Sequence, residues 1–306
     1  MDQKVDLFKI PEQITSFNDG HHAERVLVIG SGFGGLASAI RMAKKGYQVQ
    51  VLERLESPGG RAFVHKKNGF TFDAGPTIIT APFLLEELWE MCGKKMADDV
   101  DLRAMDPFYQ IRFADGRIFN YTGDLERMKA EVAKFSPKDL PGYLRFLDEA
   151  ENCYKLAFED LGDVAFDSIK DLVQAMPNLI KMRAWNSLYS LVAKYIKDPQ
   201  LREVMSFHPL LIGGNPFSVS SAYALINSLE RKWGVHSAMG GTGAIIKGLV
   251  GLLDGLGVSI RYASTVKKIN IVDSKVTGVT LENGDVLYSN MVVSNADTAW
   301  TYKNLI

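Results

Sequence analysis

Cysteine is scarce: Cys92 and Cys153 are the only two in 306 residues, and they form no C-x-x-C pair. That excludes a disulfide framework or a zinc ribbon, and the expectation is two reduced thiols in a cytoplasmic setting. Histidine is nearly as sparse, with five residues and no H-x-x-x-H spacing, and His21-His22 fall in a polar lead-in, so no metal is expected. Neither sign of charge predominates. The 35 Lys and Arg against 36 Asp and Glu leave a net charge of -1, which gives nucleic acid nothing to recognise. No apolar run reaches membrane-spanning length, and the first residues lack the basic-then-apolar order of a signal peptide. Residues 1–22, polar and broken by Pro11 and Gly20, read as a loosely held extension. The 46% hydrophobic content is ample for two domains, or for one domain carrying a large insertion.

What is present is concentrated between Arg25 and Arg61. Val26, Leu27, Val28 and Ile29 form a wholly apolar run, the pattern of a parallel strand covered on both faces. Gly30, Gly32 and Gly35 then spell G-x-G-x-x-G, where missing side chains permit a tight turn, close approach to a pyrophosphate and packing of helix on strand. A helix over Leu36–Lys45 capped by Gly46, and a second buried strand over Val49–Leu52, complete the unit. Glu53 stands at that strand's tip, 23 residues after Gly30, placed to accept both ribose hydroxyls and to repel a 2′-phosphate. FAD or NAD is therefore favoured over NADP. Ser57-Pro58-Gly59-Gly60-Arg61 adds a second turn ending in a guanidinium fork suited to phosphate oxygens, and a dinucleotide held from both sides points to FAD.

Further along, Gly69–Thr77 reads as a strand and a sharp turn, Phe83–Cys92 as a helix, and Phe108–Tyr121 as a hairpin around Asp115-Gly116. Asp124–Lys197 is helical in pattern. Between Pro177 and Lys197 there is no acid, and Lys181, Arg183, Lys194 and Lys197 flank a stripe of Trp185, Leu188, Tyr189, Val192, Tyr195 and Ile196. That pattern fits a helix over 178–197 lying in a membrane interface, but taken alone it favours a core helix with a solvated basic edge. Gly240-Gly241-Thr242-Gly243 opens a helix, and Val258–Asn295 is strand signal, with Asn283-Gly284 set for a type I′ turn.

With these residues laid out, the sequence resembles the bacterial-type carotenoid desaturases, the phytoene desaturase family of the amine-oxidase-like flavoproteins. The resemblance runs from about residue 24 to the end. It is carried by Val28–Gly35 with Glu53-Arg54 and Gly59-Gly60-Arg61, by Phe72–Thr77, by Gly213–Phe217 with Leu229–Val235, by Gly240–Gly243 and by Val292–Asp297. It implies an α/β fold: a discontinuous Rossmann-like FAD-binding domain over 23–80 and 240–306, a mostly parallel sheet plus a β-meander, interrupted by an α+β substrate domain over 81–239. It further implies that Gly30, Gly32, Gly35 and Gly60 approach the dinucleotide, that Glu53 meets the ribose, that Arg54 and Arg61 hold the remainder, and that the backbone of Val266 meets adenine. The implied substrate is a long polyene hydrocarbon drawn from a membrane surface, which favours interfacial attachment through 178–197. Phe207, Leu210, Leu211, Phe217 and Tyr223 are the expected lining of its path. No acid or base stands out, and His208, Asp73 and Tyr223 are no more than reachable side chains. Members of the family are longer and return to the flavin with a further glycine-rich segment, so the resemblance reads this chain as a fragment or a shortened copy. The alternatives are another FAD oxidoreductase of the same group and a non-catalytic dinucleotide-binding module.

Overall fold

A computed structural model describes residues 24–306, and the extension expected over 1–22 lies outside the described residues. Contacts divide the chain into two compact units, one of Ala104–Val235, the other of the described residues up to Arg103 together with His236–Ile306.

The second of these opens with β1 (Arg25–Ile29), α1 (Phe33–Lys44) and β2 (Gln48–Leu52), then β3 (Val64–Lys67), β4 (Phe70–Asp73), α2 (Pro82–Met91) and β5 (Leu102–Ala104). α1 stops where expected, at Gly46, whose φ of +93° suits a residue without Cβ. The inserted unit follows with the hairpin β6 (Tyr109–Arg112) and β7 (Ile118–Tyr121) and the helices α3 (Leu125–Phe135), α4 (Leu140–Tyr154), α5 (Ile169–Lys181), α6 (Leu188–Tyr195), α7 (Pro199–Ser206) and α8 (Leu225–Trp233). Four of these helices are capped by sequence-local oxygens. Asp124 accepts from Arg127 N–H, Ser187 from Ser190 N–H and Asp198 from Leu201 N–H, while Ser168 and Asp171 form a capping box. The core of this unit is aromatic and aliphatic, with Phe119, Tyr143, Phe146, Leu188, Leu191, Val192 and Ile196 buried together. Both cysteines are free thiols. Burial pushes the Cys153 thiol up to about 12, so it stays protonated.

The chain then returns with β8 (His236–Ala238), α9 (Thr242–Gly255), β9 (Ser259–Arg261), β10 (Val266–Val272), β11 (Lys275–Leu281), β12 (Val286–Tyr288), β13 (Met291–Ser294) and α10 (Thr298–Asn304). A four-stranded parallel sheet in the order β13-β1-β2-β9 forms, with Val26 opposite Val49 and Met291, and β10-β11-β12 make an antiparallel meander. Why the β1 run is apolar without alternation is now visible. Val26, Val28, Val49 and Val51 pack with α1, α2 and α9, while Leu27, Ile29 and Leu52 pack with Val266, Ile269, Val279 and Leu281 of the meander.

Two expectations need correction. The insertion begins after Arg103, not after residue 80, and ends at Val235, not 239. α2 stays with the sheet because Leu88 and Trp89 are buried beside Leu36, Ile40 and Leu249. The type I′ geometry expected at Asn283-Gly284 is absent there, since Gly284 alone has positive φ. It occurs instead between β3 and β4, where Asn68 (φ 52°) and Gly69 (φ 81°) join the expected strand after Gly69 to β3, a strand that the sequence reading did not expect.

Candidate functional site

The site grows from the carboxyl ends of β1 and β2. Gly30 turns the chain at φ +91°, and a Cβ on Gly35 would lie 2.0 Å from the Gly30 carbonyl oxygen, so α1 can approach β1 only through glycine. The start of α1 has no side-chain cap and no acid in its first turn, which leaves its amide N–H groups for an anion. The second glycine turn closes on the first: Gly59 N–H donates to Ser31 O at 3.0 Å, and a Cβ on Gly60 would stand 3.1 Å from Gly32 Cα. Gly75 extends the line, its Cβ position 2.6 Å from Ala62 Cα. These backbones form a cradle that side chains would fill, which is what a pyrophosphate pressed against main chain requires.

Glu53 is buried, with 4% of its surface exposed. Its Oε2 accepts from Ser31 N–H at 2.8 Å and from Ser31 Oγ–H at 2.5 Å, and Oε1 accepts from Leu55 N–H at 2.9 Å. The carboxylate thus latches the tip of β2 to the turn after β1. Of roughly four acceptor positions on a carboxylate, about one is left for a ribose hydroxyl. Val266 comes to the same place, because Ser264 N–H donates to Glu53 O at 2.8 Å at the entrance to β10. Arg54 and Arg61 are exposed and make no ion pair with any described residue. The structure therefore gathers Gly30, Gly32, Gly35, Glu53, Gly60 and the start of the Val266 strand at one sheet end, and they fit a dinucleotide by shape and by donor set.

Sequence reasoning missed Asn295. It follows β13, donates its N–H to Ile29 O at 2.9 Å, and carries its side chain over the glycine turn. A Cβ at Gly34 would meet Asn295 Oδ1 at 2.5 Å, and one at Gly32 would meet Nδ2 at 3.1 Å. The available signal was Gly34 itself, a glycine outside the G-x-G-x-x-G positions.

The three reachable acid or base candidates differ in setting. Asp73 lies against the glycine turn before α9, a Cβ on Gly241 falling 2.0 Å from its Oδ2, and its Oδ1 is buried without a hydrogen bond. His208 is wholly buried in the inserted unit, its Nε2 3.2 Å from Glu230 Oε2. Tyr109 donates to Glu230 Oε1 at 2.6 Å, and burial, then the Glu230 charge, holds its hydroxyl well above the usual tyrosine range. Tyr223 is half-buried. Among the expected path-lining residues, Leu210, Leu211 and Phe217 are exposed on their unit, as is Ile212 beside them.

The stripe expected over 178–197 is not one helix face. α5 ends at Lys181 and α6 begins at Leu188, and Leu188, Val192 and Ile196 are fully buried in the core, so the apolar side of α6 faces inward. The outward apolar face lies one helix earlier. Ile169, Leu172, Val173, Met176 and Ile180 of α5 are exposed, Ile169 by 84%, and Lys170 and Lys181 lie beside them. Trp185, 69% exposed, follows that helix. Among the described residues no helix is long and apolar enough to cross a membrane.

A family profile described as flavin-containing amine oxidoreductase matches residues 33–299. The chain is 45% identical over 279 residues to the lycopene-forming phytoene desaturase of Pantoea ananas, covering 91% of this chain and 57% of that protein. To the neurosporene-forming phytoene desaturase of Cereibacter sphaeroides it is 44% identical over 291 residues, covering 95% and 56%. It thus spans somewhat more than half the length of the curated relatives it matches. Among solved structures it is similar to an oxidoreductase from Methanosarcina mazei, at 20% identity and a TM-score of 0.62 over 92% of this chain and 61% of that one. Putrescine oxidase bound to putrescine is similar at 16% identity and a TM-score of 0.62, over 93% and 60%. These two likenesses bear on fold alone.

Proposed function

We propose a function from one premise: the chain belongs to the flavin-containing amine oxidoreductase family, where its relatives include bacterial carotenoid desaturases. The activity proposed for the protein is FAD-dependent desaturation of a long polyene, C–C to C=C, in carotenoid biosynthesis. The observation that carries the cofactor is the glycine cradle at Gly30–Gly35, Gly59-Gly60 and Gly75, in which several Cβ positions are occupied by neighbouring main chain. Identity of 44–45% to phytoene desaturases across more than nine-tenths of the chain supports the substrate class.

When bound, the flavin supplies the acceptor for the hydride equivalent that oxidation of an allylic C–C bond releases, chemistry beyond any side chain alone. The chain's own residues bind and orient. The first-turn amides of α1 and the amides of the second glycine turn hold the pyrophosphate, with Arg54 and Arg61 as exposed cations at the rim. Glu53 fixes the geometry of the turn and offers its remaining acceptor position to the ribose. On the inserted unit, exposed Leu210, Leu211, Ile212 and Phe217 form an apolar surface suited to a hydrocarbon.

A water-insoluble substrate calls for access to a bilayer, and the exposed stripe of α5 supports peripheral attachment at its cytoplasmic side, with Trp185 and the lysines at headgroup depth. The test is anaerobic. Purified chain reconstituted with FAD is mixed with liposomes carrying phytoene, and the flavin's visible absorbance is followed. Bleaching by the polyene supports desaturation. Bleaching by diamines and not by the polyene overturns it in favour of an amine oxidase.

A further inference from the structure

Asn295 plays no part in the reading above, yet its side chain stands directly over the glycine turn. Its backbone is fixed there: β13 runs parallel to β1, with Ile29 opposite Ser294, and Asn295 N–H donates to Ile29 O. The amide group projects across Gly32 and Gly34, is exposed, and makes no hydrogen bond to any described residue. The neighbouring carboxylates are engaged elsewhere. Asp297 caps α10 by accepting from Trp300 N–H, and Glu53 accepts from Ser31 and Leu55. A neutral amide with two unused donors, at the uncapped start of α1 and free of competing acids, has the chemistry to complete a phosphate site begun by backbone N–H groups.

We propose that Asn295 is a side-chain ligand of the dinucleotide's pyrophosphate, its Nδ2 donating to a phosphate oxygen, and that Gly34 is glycine in order to leave room for it. Gly34 has no positive φ, so its backbone does not call for glycine. What it lacks is space, since a Cβ would lie 2.5 Å from Asn295 Oδ1. The far end of a side chain can yield where main chain cannot, so a methyl at position 34 displaces the amide and leaves the fold intact. This inference rests on the reading of the turn as an FAD site.

The test measures FAD affinity of the purified chain by flavin fluorescence, with thermal melts to show that each variant is folded. Loss of a hydrogen bond to a charged group predicts that Asn295→Ala weakens FAD binding roughly 10- to 100-fold. Asn295→Asp, of the same size but charged, weakens it further. Gly34→Ala weakens it in the parent chain and adds nothing in the Asn295→Ala background. Wild-type affinity in Asn295→Ala, or an undiminished Gly34→Ala effect in that background, overturns the inference while leaving the FAD site standing. Failure of the unmutated chain to bind FAD overturns the site reading and the inference with it.

Discussion

A single methyl separates glycine from alanine at position 35, and there is no room for it. It would sit 2.0 Å from the Gly30 carbonyl oxygen, which is backbone and cannot swing aside. Gly35→Ala is therefore expected to lift α1 from β1, abolish FAD retention and lower the melting temperature. Gly46→Ala is the contrast, because nothing lies within 4 Å and only the positive φ is at stake. It costs on the order of 1 kcal/mol and leaves FAD affinity unchanged. The first of these glycines was legible because a motif spacing reports it. The His208–Glu230–Tyr109 cluster was not, since residues 22 and 121 apart in sequence meet only after the inserted unit has folded around them. Sequence reading could see His208 solely as a reachable side chain. Glu230→Ala takes the acceptor from half-buried Tyr109 and the carboxylate from beside buried His208, and a loss of about 1–3 kcal/mol is expected in urea unfolding. Tyr109→Phe, which deletes one donor, costs about 1–3 kcal/mol.

For helices, periodicity told truly where apolar stripes lie but not which of them face the core. Lysines and aromatics beside a stripe suit both a buried helix edge and a bilayer surface, and the α6 stripe proved to be core. α5 carries the outward one, and its signal was masked by Asp171, which closes the capping box and lies away from the apolar face. The double change Ile169→Glu and Val173→Glu is expected to reduce co-sedimentation with anionic liposomes while FAD affinity holds. At the start of α7, burial alone would raise the Asp139 pKa, but the N–H groups of Lys197 and Asp198 donate to its two oxygens at 2.9 and 2.8 Å and bring it below the usual carboxylate range. A carboxyl depressed in the folded state stabilises above its unfolded pKa and loses that contribution as pH falls through the folded value. Asp139→Asn should therefore lower stability at neutral pH and flatten the acid-side decline in a melting profile. The missed β3–β4 hairpin has a plain cause: Asn68-Gly69 is a strong turn signal, but Val64–Lys67 ahead of it is three-quarters lysine and histidine and does not read as a strand.

At the scale of the molecule, a nucleotide-binding unit built from two separated stretches of chain was implied by the family resemblance, while the residues alone left two domains and one interrupted domain both open. The placement of the seams was not legible. Helix α2 resembles the helices that follow it in the sequence, and only the burial of Trp89 against α9, where a Cβ on Gly248 would lie 2.7 Å from the indole, assigns it to the sheet. A ligand that binds the folded state alone adds stability by mass action, about 2.7 kcal/mol at a hundredfold excess over its dissociation constant. Thermal melts with FAD should show that gain, and riboflavin, which lacks the pyrophosphate and adenosine, should not reproduce it. The order β13-β1-β2-β9 has a practical side as well. Among the described residues no strand pairs with the outer edges of β13 and β9, and an edge row of main-chain donors and acceptors is a template on which extended polypeptide can add. Concentrated preparations of this chain should accordingly lose monodispersity in light scattering, by oligomers growing through main-chain pairing at β13.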